Sequence, residues 1–411
     1  MSEPPIRITD LAAPVLSDIQ RSIVEMDVSV ELTGDAVLGA AVEKTGLDDF
    51  GPDDFRERLR LWLEEIDADA GLLPAARMSH FNTCLRYMTA RLRVLDLLRR
   101  HPEIHEVEIE APLVVVGLPR SGTTHLLNLI STDTRWRSLP LWECYEPVPV
   151  PGEEPDGRFA RCDAGWQASR AVLPLLAAMH PMEPGHVHEE IDLQGLNCSG
   201  YTIEWMARMP RWRDHYLAHD QIEHYEFLKT CLKVLQWQRG PDRWVLKSPQ
   251  HLEQLGPLLS VFPDATIALT LRDPVSVVQS AATMLCYGAR VQRRDVDPAF
   301  YLEYWGDRIE RLLRASVRDL HLIPDGRRID VPFHEFMSDD VAMLERIYKV
   351  ASLPITPEAS AQIAAHMATH QRDRHGRVAY DLRADFGADP ADVRKHFDFY
   401  FDAFDVPIEV T

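Results

Sequence analysis

The chain has 411 residues, of which 45% are hydrophobic and 26% charged, values that suit a folded protein and exclude a disordered or low-complexity majority. Its 44 basic and 64 acidic side chains give a net charge of −20, which disfavours nucleic acid, anionic lipid and polyanionic polysaccharide as partners. An anionic ligand would therefore have to be bound by a local group of cations.

The apolar residues and the cysteines exclude further classes. No apolar run approaches the ~20 residues of a membrane-spanning helix, and residues 1–10 lack the basic and then apolar start of a secretory signal. The six cysteines are dispersed without a C-x-x-C pair, which predicts reduced thiols and no metal site. We expect a cytoplasmic protein with no transmembrane segment. The oligomeric state is left open, a homo-oligomer included.

Residues 1–110 are predicted to form a helical N-terminal extension. Apolar residues recur at helical spacing from 54 to 100, interrupted by the Gly-Leu-Leu-Pro sequence at 71–74. The region contains no motif that indicates chemistry.

An α/β pattern begins at residue 111. Leu113–Val116 is a continuous apolar run typical of a parallel strand buried on both faces, and the loop 117–124 leads from it into a predicted helix. Two more predicted strands, 243–246 and 265–271, are each followed by a turn and a helix. This order predicts a central parallel sheet with a ligand site at the C-terminal ends of its strands.

We assign this α/β domain to residues 111–340. Within it, residues 144–215 are rich in Pro, Trp, His and Met and are predicted to be an irregular insertion that covers the site. Residues 341–411 are predicted to form a helical segment that folds back over the same site.

The loop after the first strand has the composition of a phosphate-binding loop. Gly117 and Gly122 have the G-x-x-x-x-G spacing, in which backbone N–H groups and a helix N-terminus face an anion. Thr123 stands where a nucleotide triphosphatase has its lysine, and the nearby cation is Arg120. A purely structural turn is the alternative, but a cation and three hydroxyls within five residues favour an anion site.

This loop resembles the 5′-phosphosulfate loop of sulfotransferases, which use 3′-phosphoadenosine 5′-phosphosulfate (PAPS) as donor and release 3′-phosphoadenosine 5′-phosphate (PAP). The resemblance covers about residues 112–285 and is strongest to the broad bacterial branch that also resembles tyrosylprotein sulfotransferases. It implies a three-layer, P-loop-like α/β fold and no metal. The loop residues that would bind the donor are Pro119, Arg120, Ser121, Gly122, Thr123, Thr124 and His125.

The family resemblance also implies a site for the 3′-phosphate. Its members place an arginine at a strand end and a serine eight residues later, and Arg272 and Ser280 have that separation. An arginine can bind a phosphate in a bidentate manner. The alternative is that Arg272 pairs with Asp273 or serves as a cap. A late basic loop, with Arg374, His375 and Gly376, resembles the family's loop that closes over the nucleotide.

Sulfuryl transfer to a hydroxyl needs cations on the transferring group and a base for the proton of the acceptor. Lys247 matches a family lysine that contacts the phosphosulfate, and with Arg120 it would stabilise the transition state; a lysine that extends to solvent is the alternative. The first candidate for the base is Glu143, where related enzymes carry a glutamate. The other candidates are His188 or Glu189, in the insertion, and His251, near the position of a family histidine.

The acceptor pocket is predicted to use aromatic, methionine and histidine side chains of the insertion, although such residues also pack in ordinary cores. These residues are Trp142, Tyr145, Met179, His180, Tyr201 and Trp205. They favour a small, largely apolar acceptor with a hydroxyl or amine group. Two other functions stay open: a nucleotide-dependent kinase acting on a small molecule, which would prefer a lysine at position 123, and a catalytically silent PAP-binding module.

Overall fold

The computed structural model of the chain describes residues 4–241, 243–370 and 376–411. Its centre is a five-stranded, wholly parallel sheet with the order β2-β3-β1-β4-β5. The strands are β1 Leu113–Val116, β2 Trp136–Arg137, β3 Arg243–Lys247, β4 Thr266–Leu271 and β5 Arg328–Pro332. The central parallel sheet predicted from the sequence is confirmed; β2 and β5 were not predicted.

The helices surround the sheet and join its strands. Their bounds are α1 Asp18–Val24, α2 Gly34–Thr45, α3 Phe55–Ala68, α4 Pro74–Arg100, α5 Thr123–Ile130, α6 Leu141–Tyr145, α7 Gly157–Val172, α8 Leu176–Met179, α9 Ile191–Gly195, α10 Thr202–Met206, α11 Pro210–Ala218, α12 Ile222–Gln238, α13 Leu255–Val261, α14 Pro274–Ala289, α15 Pro298–Asp319, α16 Phe333–Ser338, α17 Asp340–Val350, α18 Pro357–Thr369, α19 Leu382–Phe386, α20 Pro390–Arg394 and α21 Asp398–Ala403. Short 3-10 turns occupy Pro102–Glu106, Pro249–Glu253, Leu320–Leu322 and Lys395–Phe397.

The two faces of the sheet bury two apolar clusters, because successive side chains of a strand point in opposite directions. Val114 and Val116 of β1 belong to the larger cluster, while Leu113 and Val115 belong to the smaller one. All four side chains are fully buried. Helices therefore cover both faces, and the three-layer α/β class is confirmed.

The N-terminal helices share a core with the sheet. Phe55, Trp62 and Tyr87, from α3 and α4, lie in the same apolar cluster as Val114 of β1. No helix in the three described segments is both long and apolar enough to cross a membrane.

Residues 144–215 are more regular than predicted. The sequence suggested an irregular insertion, but the segment contains α7 to α10 and the first part of α11. These helices are short or carry many polar residues, so the apolar periodicity that reveals α4 is weak in them.

The sheet places the predicted functional residues at the C-terminal ends of its strands, along one edge. Val115 of β1 is in register with Lys247 of β3 and with Ala268 of β4. Because the strands are parallel, β1 ends at the loop 117–122, β3 ends at Lys247 and β4 ends just before Arg272.

Candidate active site

A cavity of about 750 Å³ opens at this edge of the sheet. One part of its wall is polar and cationic, and the remainder is mostly apolar. The polar part includes the loop residues Pro119 and Gly122 and the polar or charged side chains of Arg120, Thr123, Thr124, His125, His188, Glu189 and Arg272. The apolar part includes Leu173, Leu176, Met179, Met182, Trp205, Met206, Met284 and Leu285.

The loop after β1 is held by close packing and unusual backbone angles. A Cβ on Gly117 would lie 1.8 Å from Thr270 Oγ1, so only glycine fits there. Gly122 has φ +85°, and Arg120 has φ 65°, a left-handed conformation that costs a non-glycine residue energy and often marks functional loops. Helix α5 begins at Thr123, which directs its N-terminus towards the cavity.

Ser121 supports this loop from inside. It is 1% exposed, donates a hydrogen bond to the Leu118 carbonyl at 2.6 Å and shares another with Thr270 Oγ1 at 2.7 Å. Ser121 was predicted to contact the donor, but its side chain does not line the cavity. Its hydroxyl fixes the loop instead.

Arg120 is held by three neighbours across the cavity mouth. Its Nε donates to Ser280 Oγ at 3.0 Å, its Nη2 to the Tyr380 hydroxyl at 3.3 Å and its Nη1 to the Met179 carbonyl. The guanidinium therefore connects the loop 117–124 to α14, to Met179 and to Tyr380 of the C-terminal segment.

Lys247 is buried at the end of β3, with 2% of its side chain exposed. Its ammonium donates to Thr124 Oγ1 at 3.3 Å and forms an ion pair with Glu189. The alternative that Lys247 extends to solvent is wrong. Its charge lies between Thr124 of the loop and the Glu189 carboxylate.

Arg272 also lines the cavity, whereas Ser280, the second residue predicted to bind the 3′-phosphate, does not line it. Ser280 contacts Arg120, whereas Arg272 forms a bidentate ion pair with Glu409 and donates to the Arg120 carbonyl. Asp273 does not pair with Arg272 either; it caps α14 by accepting from Val275 N at 2.9 Å.

The late basic loop is described only in part. Arg374 and His375 lie outside the described residues. Gly376 has φ +90°, and a Cβ there would lie 2.9 Å from Ile6 Cδ1. Its backbone therefore runs close to the first described residues.

The structure corrects the first candidate for the base. Glu143 is 3% exposed, and its carboxylate accepts hydrogen bonds from Arg137 at 2.9 Å and from Arg239 at 2.7 Å. Two arginines thus hold it in a buried ion-pair network, and it does not line the cavity.

His251 is corrected in the same way. Its side chain is fully buried, with Nδ1 2.7 Å from the Tyr225 hydroxyl and Nε2 2.5 Å from Glu190 Oε1. The other Glu190 oxygen accepts from the backbone N–H of Lys247 at 2.9 Å. Burial raises the pKa of Glu190, but the hydrogen bond and charge of His251 outweigh it and keep the carboxyl below its usual range.

Two of the proposed bases, His188 and Glu189, do line the cavity. Glu189 pairs with Lys247, while His188 Nε2 lies 3.3 Å from Asp192 Oδ2. The second Asp192 oxygen accepts from the Tyr87 hydroxyl at 2.7 Å and from Arg86 at 3.0 Å. This group of residues was not predicted, although the spacing of four residues between His188 and Asp192 is visible in the sequence.

Burial and neighbouring charges shift the pKa values of Asp192 and His180, which flank His188. Burial raises the pKa of Asp192. The charges of Arg86 and His188, and the hydrogen bonds that Asp192 accepts from His188 and Tyr87, outweigh burial and hold this pKa well below its usual range. Burial, with the charges of His188 and Lys247, lowers the pKa of His180 well below its usual value. Asp192 is therefore ionised and His180 neutral at neutral pH, and the His180 and His188 ring centroids are 6.1 Å apart.

Most predicted acceptor residues reach the cavity. Tyr145, Met179, His180, Tyr201 and Trp205 line it. Trp142 is corrected: it does not line the cavity, and its ring stacks against the guanidinium of Arg158 at 4.6 Å. Met284 and Leu285 also line the cavity and were not predicted, because they lie on α14 among ordinary packing residues.

Comparison with known proteins now defines the family. A model of the sulfotransferase family matches residues 112–357, which contain the loop, Lys247 and Arg272. The chain belongs to the sulfotransferase family. Within its described residues, no group of three or more histidine, cysteine or acidic side chains is arranged to hold a metal ion.

Solved structures of this sulfotransferase family share the fold over nearly the whole chain. Sulfotransferase STF9 from Mycobacterium avium is 26% identical, with a TM-score of 0.84 over 94% of this chain and 100% of that one. Sulfotransferase STF1 from Mycobacterium tuberculosis H37Rv is also 26% identical, with a TM-score of 0.78 over 89% and 98%. The coverage means that most of residues 1–110 belongs to the shared fold.

A curated sulfotransferase matches a shorter segment. The omega-hydroxy-beta-dihydromenaquinone-9 sulfotransferase Stf3 of Mycobacterium bovis is 27% identical over 181 residues, which are 42% of this chain and 44% of that protein. The match thus spans less than half the length of this relative.

Proposed function

We propose that this chain transfers a sulfuryl group from PAPS to a hydroxyl of a small, largely apolar acceptor, with an amine as a related acceptor group. The observation that carries the proposal is that Arg120 and Arg272 line one cavity beside the loop 117–124, while the buried Lys247 donates to Thr124 in the wall of that cavity. A net charge of −20 gives the molecule no general attraction for anions, so these cations are a local feature of the site.

The donor would bring the reactive sulfuryl group, and the chain would supply positioning and charge. The backbone of the loop at 117–122 and the N-terminus of α5 would bind the 5′-phosphosulfate. Arg272 would bind the 3′-phosphate, because a guanidinium suits bidentate contacts with phosphate oxygens. Lys247 and Arg120 would oppose the negative charge that develops on the transferring group.

His188 is the best-supported base. If Nε2 carries the hydrogen that faces Asp192, then Nδ1 is the nitrogen that can accept a proton from the acceptor. The ionised Asp192 would fix this tautomer and stabilise the imidazolium, as carboxylates do beside catalytic histidines. Glu189 is the second candidate, but its carboxylate is engaged by Lys247.

The apolar wall of the cavity supports a lipophilic acceptor. Trp205, Met206, Met284 and Leu285 offer no charge to a substrate, and methionine side chains adapt to irregular apolar shapes. The name of the curated relative describes a sulfotransferase for an omega-hydroxylated menaquinone derivative, a lipophilic alcohol. We therefore expect a lipid, sterol, polyketide-like or phenolic hydroxyl as the acceptor group. The proposal also includes a cytoplasmic location. All six cysteines are buried free thiols, which agrees with a reducing compartment.

Calorimetric titration of the purified protein tests the donor site. We expect PAP to bind with micromolar affinity and adenosine 5′-phosphate to bind much more weakly, because only PAP carries the 3′-phosphate. Preference for ATP with Mg²⁺ would instead support a kinase. If PAP binds selectively, incubation with labelled PAPS and a panel of long-chain alcohols, sterols and phenols should transfer label to an acceptor. Selective binding without transfer to any of them would favour the silent module.

A further inference from the structure

The most unusual contact at the cavity is the ion pair between Arg272 and Glu409. Arg272 Nε donates to Glu409 Oε1 at 2.9 Å, and Nη2 donates to Oε2 at 2.7 Å. Ser276, in the first turn of α14, donates to the same Oε2 at 3.3 Å. An arginine fork with a serine hydroxyl is a typical set of ligands for a carboxylate or a phosphate.

The backbone around Glu409 is held independently of its side chain. Glu409 N and Val410 N donate to Asp273 Oδ2 at 2.8 and 3.3 Å. Arg394 donates to the Val410 carbonyl, and Arg383 donates to the Thr411 carbonyl at 2.8 Å. Residues 409–411 therefore stay beside α14 whether or not the Glu409 carboxylate contacts Arg272.

Arg272 faces two anions if the proposed function is right. Its guanidinium lines the cavity and packs on the Phe333 ring at 3.8 Å, while its Nε and Nη2 edge is occupied by Glu409. A 3′-phosphate that takes this edge must displace the carboxylate. A phosphate that takes another edge still approaches a fixed negative charge. Both cases weaken binding.

We infer that Glu409 is an internal counter-anion that lowers the affinity of Arg272 for the 3′-phosphate of the nucleotide. This inference rests on the proposed function, since it needs Arg272 to bind that phosphate. The side chains of Arg272 and Glu409 are 20% and 30% exposed, so the pair is neither strong nor costly to break. Glu409 would thus moderate the affinity for the donor and for the product nucleotide without blocking the site.

The test uses Glu409→Gln, which removes the charge and keeps nearly the same volume. Titration with PAP should show binding about fivefold tighter than in the unaltered protein, the size expected for one partly exposed charge pair. Adenosine 5′-phosphate should bind unchanged. The gain should shrink as salt is raised, because exposed charges are screened. In turnover assays the same variant should be inhibited by PAP at lower concentration.

Two matched variants complete the design. Asp405→Asn removes one charge from an exposed carboxylate four residues away and should leave PAP affinity unchanged. Arg272→Ala should weaken PAP binding, and adding Glu409→Gln to it should restore less affinity than the same change adds to the unaltered protein, because no ion pair with Arg272 is then left to displace.

The results separate this inference from the proposed function. If the unaltered protein does not prefer PAP to adenosine 5′-phosphate, the proposed function fails. If it does, then unchanged or weaker PAP binding by Glu409→Gln overturns the inference alone. Equal gains for both nucleotides also overturn it, because they would show a general effect of charge.

Discussion

At the scale of single residues, the geometry around His188 makes the role of Asp192 testable. The Asp192 carboxylate contacts His188 at 3.3 Å and is held on its other oxygen by Tyr87. An ionised carboxylate in this position orients an imidazole and favours its protonated form. Asp192 is therefore a positioning residue, and its effect should appear in turnover and not in nucleotide binding.

We expect Asp192→Asn to reduce kcat by about tenfold or more while PAP affinity stays unchanged.

Stopped assays at saturating donor measure kcat, and calorimetric titration with PAP measures the affinity. Asp156→Asn, at an exposed carboxylate before α7, serves as the control and should change neither. A normal kcat in Asp192→Asn would contradict the assignment of His188 and direct attention to Glu189.

At the scale of elements, the loop after β1 depends on one close approach. A methyl group on Gly117 would meet Thr270 Oγ1 at 1.8 Å and would break the Ser121–Thr270 hydrogen bond. We expect Gly117→Ala to lower the free energy of unfolding by about 1–3 kcal/mol, the usual cost of overpacking, and to weaken PAP binding.

Urea unfolding and calorimetry of the same preparations measure the two effects of Gly117→Ala. The control is Gly165→Ala in α7, where no atom lies within 4 Å of the new methyl group. That variant should be neutral or more stable, since alanine favours a helix over glycine. Unchanged PAP binding by Gly117→Ala would show that the loop tolerates displacement and is not a preformed anion site.

The elements that the sequence predicts are those with a strong local pattern. Strands β1, β3 and β4 are apolar runs followed by turns, so their place in a buried parallel sheet follows from their residues alone. β2 has only Trp136 and Arg137, too short for any periodicity. That omission matters for the site, because Arg137 of β2 is one of the two arginines that hold Glu143.

Contacts between distant segments limited the prediction of the site in the same way. The loop and Lys247 were found because strand ends are visible in the sequence, and their convergence follows from parallel strands. The pairing of Arg272 with Glu409 joins residues 137 positions apart, and no local spacing indicates it. Arg86 and Tyr87 lie on α4, whose apolar periodicity suggested packing alone.

At the scale of the whole molecule, buried histidines make the free energy of unfolding depend on pH. Burial lowers the pKa of His80, on α4, to about 4, and burial with the charge of Arg58 lowers the pKa of His224, on α12, to about 4. In the unfolded chain each imidazole has a pKa of about 6.5. Between these values the unfolded state binds more protons than the folded state, so stability rises with pH.

We therefore expect the free energy of unfolding to fall as the pH drops from 6.5 to 4, with each of these histidines contributing up to about 3 kcal/mol. Urea unfolding at several pH values in this window measures the slope.

His80→Asn keeps an acceptor for the Trp62 indole N–H, which lies 3.3 Å from His80 Nδ1, and removes the titrating group. The variant should be less stable near neutral pH but less sensitive to acid, because a cavity costs stability at every pH whereas proton uptake costs it only below 6.5. His321→Asn, at an exposed site, should retain the full slope, and an equal slope in His80→Asn would show that His80 is protonated in the folded state as readily as in the unfolded one.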